Sequence, residues 1–172
     1  FIYISAGIGR IFKRTLDGTY VLVWGEGHGS GQGQFNGAVA LDVGPDGSVF
    51  VVDQYNQRVQ KFDADGGFIT EWPVGGPLDV AVDNSGNVFT ISGNECEIQK
   101  FNSTGTIIPS WQFQIPWTCG SNGIAVNDSG EVFITDYRTN KVRKFDSLGN
   151  EILSWVGGDG VGIAIDSTGD VY

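Results

Sequence analysis

The sequence predicts an all-β fold, an array of four-stranded antiparallel units with almost no helix. Three observations carry the prediction. A phrase Gly-x-Val-aromatic recurs as Gly47-Ser48-Val49-Phe50, Gly86-Asn87-Val88-Phe89, Gly130-Glu131-Val132-Phe133 and Gly169-Asp170-Val171-Tyr172. A second phrase follows the first three copies: Arg58-Val59-Gln60-Lys61-Phe62-Asp63, Glu97-Ile98-Gln99-Lys100-Phe101-Asn102 and Lys141-Val142-Arg143-Lys144-Phe145-Asp146. Short apolar runs alternate with Asp, Asn and Gly clusters, as antiparallel strands alternate with tight turns. A period of roughly 40–45 residues made of four such strands is what one blade of a β-propeller needs.

The elements follow in order. Phe1 to Ser5, Arg10 to Arg14 and the run ending at Trp24 read as strands b, c and d of a unit entered partway. The second unit runs a (Val39 to Val43), b (Ser48 to Asp53), c (Arg58 to Asp63) and d (Phe68 to Trp72), with Gly44-Pro45-Asp46-Gly47 and Ala64-Asp65-Gly66 as turns. The third uses Leu78 to Asp83, Asn87 to Ser92, Glu97 to Asn102 and Thr106 to Trp111. The fourth uses Ile124 to Asn127, Glu131 to Asp136, Lys141 to Asp146 and Glu151 to Trp155. Trp24, Trp72, Trp111 and Trp155 end successive d strands, which predicts packing between neighbouring blades rather than a ligand platform. Strand a reads Val80-Ala81-Val82, Ile124-Ala125-Val126 and Ile163-Ala164-Ile165, near-continuous apolar runs expected of strands buried on both faces.

Composition narrows the function classes. The chain has 172 residues, a net charge of −10, one His, two Cys and no Met. The absence of Met predicts a processed form or a segment of something longer. An acidic chain with ten basic residues is a poor match for a phosphate backbone, so no nucleic-acid partner is expected. No apolar run is long enough for a transmembrane helix. The Gly-rich stretch Gly25 to Asn36 lacks the Gly-Lys-Ser/Thr ending of a phosphate loop and joins strand to strand, so no nucleotide site is expected.

Gly29 to Trp72 carries Gly-x-Gly-x-Gly-Gln-Phe-Asn, then an Ala-Val-rich strand, Asp-Gly-x-Val-Phe-Val-Val-Asp and Asn-x-Arg-Val-Gln-Lys-Phe-Asp. This stretch resembles an NHL repeat, and weaker copies cover nearly all the rest. The resemblance implies a propeller, typically of six blades. Residues 1–172 hold about four blades' worth: strands b to d of one, three whole blades, and strand a of a further one. Two arrangements remain open, a segment of a larger ring and a small ring in which the last strand a joins the first b, c and d; the former is preferred. The Asp-to-Arg spacing of the family survives as Asp53 to Arg58 and, with Lys, as Asp136 to Lys141, and is expected to brace the b–c turn. The amidating lyases that look distantly related to NHL propellers use several His; the single His28, in the Gly-rich loop, is expected to be solvated.

The remaining candidates are few. Asp42 stands where other copies have Ala81 and Ala125, and Asp79 where they have Gly123 and Gly162. Either carboxylate must face a blade interface or the axial channel and find a partner, water or a cation there. Asp63-Ala64-Asp65-Gly66 looks like the start of a calcium loop but lacks its later ligands, so a turn is expected. Cys96 and Cys119 fall on one face, compatible with a disulfide or with two free thiols. With the sequons Asn102-Ser103-Thr104 and Asn127-Asp128-Ser129 they point to an extracellular or cell-surface setting. No cofactor is expected. The function expected is a non-catalytic interaction module, with a protein or carbohydrate partner on the face of the b–c and d–a loops, through Tyr55, Gln57, Asn94, Trp117, Tyr137 and Arg138. Two alternatives stay open: a structural subunit of a self-assembling extracellular complex, and part of a metal-dependent lyase or lactonase-like propeller.

Overall fold

The computed structural model describes residues 1–6, 9–93, 97–111, 113–114, 121–157, 162–166 and 168–172. They form four antiparallel sheets in chain order, blades of a propeller. The first sheet has three strands, β1 (Ile2–Ala6), β2 (Arg10–Arg14) and β3 (Tyr20–Trp24). The second has β4 (Ala38–Val43), β5 (Val49–Asp53), β6 (Arg58–Phe62) and β7 (Phe68–Pro73). The third has β8 (Pro77–Val82), β9 (Val88–Ser92), β10 (Glu97–Phe101) and β11 (Phe113–Gln114). The fourth has β12 (Ser121–Val126), β13 (Val132–Asp136), β14 (Lys141–Phe145) and β15 (Glu151–Val156). The first strands of the whole blades line up side by side, β4 against β8 and β8 against β12. Ile165 bridges Val171, and Ala164 exchanges hydrogen bonds with Tyr172, so this last strand a pairs with its own following segment; β1 pairs with β2.

The hairpins are encoded locally. In Asp83-Asn84-Ser85-Gly86 the Asp83 carboxylate accepts the N–H groups of Ser85 (2.9 Å) and Asn87 (2.8 Å), while Gly86 takes φ 78° and donates to Asp83 O. An Asp or Asn that caps the turn and a Gly at positive φ three residues on make a tight hairpin with a bulge. The same device turns Asp63 to Gly66, Asn102 to Gly105, Asn127 to Gly130 and Asp146 to Gly149. The calcium-like stretch at Asp63 is therefore a turn.

Between blades, apolar b and c strands supply the core. Val49–Asp53, Val88–Ser92 and Val132–Asp136 are buried at every residue. Each buried Trp reaches forward: a Cβ on Gly66 would fall 2.7 Å from the Trp24 ring, and one on Gly105 would fall 2.5 Å from the Trp72 ring. Trp111 stacks edge-on against Phe89 at 5.0 Å between centroids and donates its indole N–H to Ser147 O in the next blade. The expected Trp packing thus holds at three junctions; Trp155 is partly buried. A second inter-blade tie has no counterpart in the sequence reading. Lys13 donates to Ala64 O (2.8 Å) and Lys61 to Ser103 O (3.2 Å), with Lys61 also 5.0 Å from the centre of the Phe50 ring. The Lys61 charge is met by a carbonyl, an aromatic face and the Asp46 carboxylate at 3.7 Å, so a buried Lys is tolerated here.

One element departs from expectation. The repeat predicts strand d of the third blade over Thr106 to Trp111. Instead Ile107 makes a lone bridge to Phe101, Pro109–Trp111 form a 3-10 turn, and strand pairing resumes at β11, opposite Glu97 and Ile98. Pro109 has no N–H to give to the ladder, which forces the break.

Candidate functional site

Two places could do chemistry or binding: the axial channel and the rim of b–c turns. The channel is a cavity of about 390 Å³ whose walls include Asp42, Asp79, Val80, Ile124, Asn84 and Asp128. Strand a lends only alternate N–H groups to its neighbour in the sheet, so the others point inward to the axis. Asp42 accepts two of these, from Val43 (2.7 Å) and from Val82 of the next blade (2.7 Å). Asp79 repeats the arrangement one blade on, accepting from Val80 (2.9 Å) and Ile124 (2.9 Å). Each carboxylate therefore clasps two inner strands that have no ladder between them. Burial pushes both carboxyl groups up; that of Asp79 reaches about 6, the nearby Asp42 charge adding a little and the N–H groups opposing. At the mouth, Asn84 donates to Asp128 (2.7 Å). The sequence singles out both carboxylates and leaves their partner open; backbone N–H groups are that partner. No three His, Cys, Asp or Glu side chains converge as a metal site among the described residues.

The rim is built on two buried Asp residues. Asp53 is fully buried and accepts Arg58 Nε (2.8 Å), Asn56 Nδ2 (2.8 Å) and the N–H of Asn36 (2.7 Å). Arg58 also donates to Glu71 (2.8 Å) and to the carbonyls of Ser30, Gly31 and Gln34. Gln60 adds bonds to Gly33 N–H and Gln34 O. The Gly-rich loop is thus pinned by side chains, and Phe35 anchors it in the core. His28 is exposed, with Nε2 3.1 Å from Asn36 Oδ1. The expected Asp53–Arg58 brace is present. At Asp136 the brace differs: the register sets it opposite Lys141, yet its carboxylate meets Arg143 at 3.1 Å and 3.2 Å. Arg143 lies two residues on, hence on the same face, and its fork reaches where Gln60 sits in the second blade.

Of the expected partner-binding residues, Tyr55, Gln57, Tyr137 and Arg138 are exposed on b–c turns. Tyr55 is 70 % exposed and Tyr137 43 %. The two Tyr do not occupy equivalent positions: Asp53 faces Arg58 and Asp136 faces Lys141, so Arg138 is the counterpart of Tyr55. Asn94, Trp117, Cys96 and Cys119 lie outside the described residues, and with them the candidate Cys96–Cys119 disulfide. Clefts of about 220 Å³ (Gln54, Tyr55, Gln57, Gly76, Leu78) and 320 Å³ (Asn56, Gln57, Trp72, Pro73 among its walls) flank Gln57. Sequence reasoning missed Gly37, whose φ of 88° and lack of a side chain let the Tyr55 ring lie against the backbone. No helix among the described residues is long and apolar enough to cross a membrane.

Residues 118–145 match the NHL repeat. A comparison with curated proteins finds no match. Among solved structures, the chain is similar to virginiamycin B lyase from Staphylococcus aureus (TM-score 0.70, 14 % identity, 89 % of this chain and 50 % of that one). It is similar to a functionally unknown protein from Desulfotomaculum acetoxidans (TM-score 0.71, 15 % identity, 98 % and 56 %). A protein of unknown function from Bacteroides caccae is a third (TM-score 0.70, 15 % identity, 98 % and 62 %). The chain spans about half the length of the first of these. At such identities the likeness is one of fold.

Proposed function

We propose that this NHL-type propeller segment is a non-catalytic interaction module that offers its b–c rim to a protein or carbohydrate partner. One observation carries the reading: exposed Tyr55, Gln57, Tyr137 and Arg138 stand on turns anchored by the buried carboxylates of Asp53 and Asp136. Side chains on a prefixed backbone lose little freedom on binding, and Tyr and Arg are the types that dominate binding surfaces. The channel offers less. The carboxylates of Asp42 and Asp79 are engaged by N–H groups, and the described residues gather no set of metal ligands.

The test is differential capture. The immobilised chain and its Tyr55→Ala/Arg138→Ala variant are exposed to an extracellular extract and to a glycan library. Ligands retained by the first and released by the second, with equal melting of both chains, support the rim. Identical retention by both places the binding surface elsewhere.

A further inference from the structure

We infer that the cleft beside Tyr55 is a subsite for a neutral saccharide, an inference that rests on the rim reading above. The cleft holds about 220 Å³ between the b–c turn of the second blade and the start of the third, with Gly76 and Leu78 as its far wall. Its near wall is Tyr55 between two amides, Gln54 and Gln57.

Tyr55 is a platform in a fixed pose. A Cβ on Gly37 would fall 2.8 Å from its ring, so one side of the ring rests on the backbone while the residue stays 70 % exposed. Tyr55 N–H donates to Asn36 O (3.0 Å) and Gln54 N–H to Gly37 O (2.9 Å), which locks the turn to the pinned Gly-rich loop. The electron-rich face of an aromatic ring attracts the C–H edge of an apolar patch, and one face of a pyranose is such a patch.

The amides have unspent capacity. Among the described residues, neither the Gln54 nor the Gln57 side chain has a hydrogen-bond partner, and neither does the Tyr55 hydroxyl. An amide supplies two donors and an acceptor with two lone pairs, a set that matches vicinal hydroxyls. Gln57 also sits at φ 53°, in the left-handed region. Asn tolerates that region and stands at the matching place in the fourth blade, Asn140 at φ 55°. Gln57 closes the 3-10 turn Gln54–Asn56 in this conformation, its N–H donating to Gln54 O (3.1 Å) and its carbonyl accepting from Val74 N–H (2.8 Å), so its exposed amide is presented from a fixed backbone. The charged groups nearby are already paired: Arg58 with Asp53 and Glu71. What remains is an aromatic face, two neutral amides and an apolar wall, which selects against phosphate, sulfate or carboxylate ligands. A protein partner would use a broad patch around a desolvated centre; here polar groups converge on a cleft.

The test is calorimetric titration of the chain with neutral gluco-, manno-, galacto- and xylo-oligosaccharides, and with sulfated and uronic counterparts. At least one neutral series should bind. Tyr55→Ala and Gln57→Gly should each weaken it about tenfold. Tyr55→Phe, which keeps the ring face, should retain most of the affinity, and Leu148→Ala, at a c–d turn, all of it. Glycine adopts the positive φ of Gln57 freely, so Gln57→Gly decides the matter should Tyr55→Ala fail to fold. Absence of any neutral ligand, binding of charged sugars alone, or affinity indifferent to both variants would overturn the inference. If saccharides fail while the Tyr55→Ala/Arg138→Ala variant still loses a captured protein, the rim reading stands and the saccharide subsite falls.

Discussion

Replacing Asp79 by Asn should make the protein more stable at neutral pH and change little at pH 4. Asp79 faces the channel from β8, and its carboxyl is raised from 3.8 to about 6, first by burial. Between those values the folded chain holds a proton that the unfolded chain has released. Its contribution to stability is therefore fully present below pH 3.8 and is lost as pH rises through about 6. That interval corresponds to about 3 kcal/mol at most. An amide keeps an oxygen for the N–H of Ile124 or Val80 and carries no charge, and it also removes the repulsion on Asp42. Urea unfolding of both chains from pH 4 to pH 8 isolates the effect, because every other titrating group is common to the two. The midpoint difference should be small at pH 4, grow from there to about pH 6 in favour of the Asp79→Asn variant, and level off by about pH 7. A difference that is flat across the range, or a variant less stable at pH 8, would refute the reasoning: the clasp would then depend on its charge.

Arg58→Lys should cost about 3 kcal/mol or more, because an ammonium cannot satisfy Asp53, Glu71 and three carbonyls together and leaves a buried carboxylate poorly paired. Limited proteolysis should then cut within residues 25–36 well before the rest of the chain. Gly105→Ala should destabilise clearly more than Gly18→Ala in the same urea assay. Both glycines have positive φ (83° and 87°), worth about 1–2 kcal/mol each, but only at Gly105 does the new methyl strike a Trp ring. Equal losses would mean that the Trp72 contact yields freely.

Much of this is legible in the sequence because each hairpin is written in a few adjacent residues. Asp83, Asn102 and Asp146 cap their own turns, and the Gly three residues on supplies the positive φ, so the strand ends that flank these turns can be read to within about a residue or two. The Trp positions follow from the repeat. Strand d of the third blade breaks the pattern because the missing N–H of Pro109 outweighs the repeat. Tyr55 and Tyr137 look alike in their settings, yet counting from Asp53 and Asp136 gives Arg138 as the match. The partners of Asp42 and Asp79 cannot be read at all. They are N–H groups of Val82 and Ile124, some 40 residues away, and a backbone donor leaves no signature in side-chain identity. The Lys13 and Lys61 ties hide for the same reason, since their acceptors are carbonyls.

The self-capped turns have a kinetic consequence. Each hairpin contains within itself the bonds that close it, so loop-closure entropy is small and strands can pair before any blade meets another. Contacts between blades are of a different kind: a Trp ring on Gly66 or Gly105, a Lys reaching Ala64 O or Ser103 O, an Asp reaching Val82 N–H or Ile124 N–H. All join a residue to a point roughly one repeat further on, and form only when two finished blades dock. A chain organised this way assembles like a row of nearest neighbours, each blade adding to whichever one is already formed. Substitutions at the turns should then slow folding, while substitutions at the Trp, Lys and Asp ties should chiefly speed unfolding.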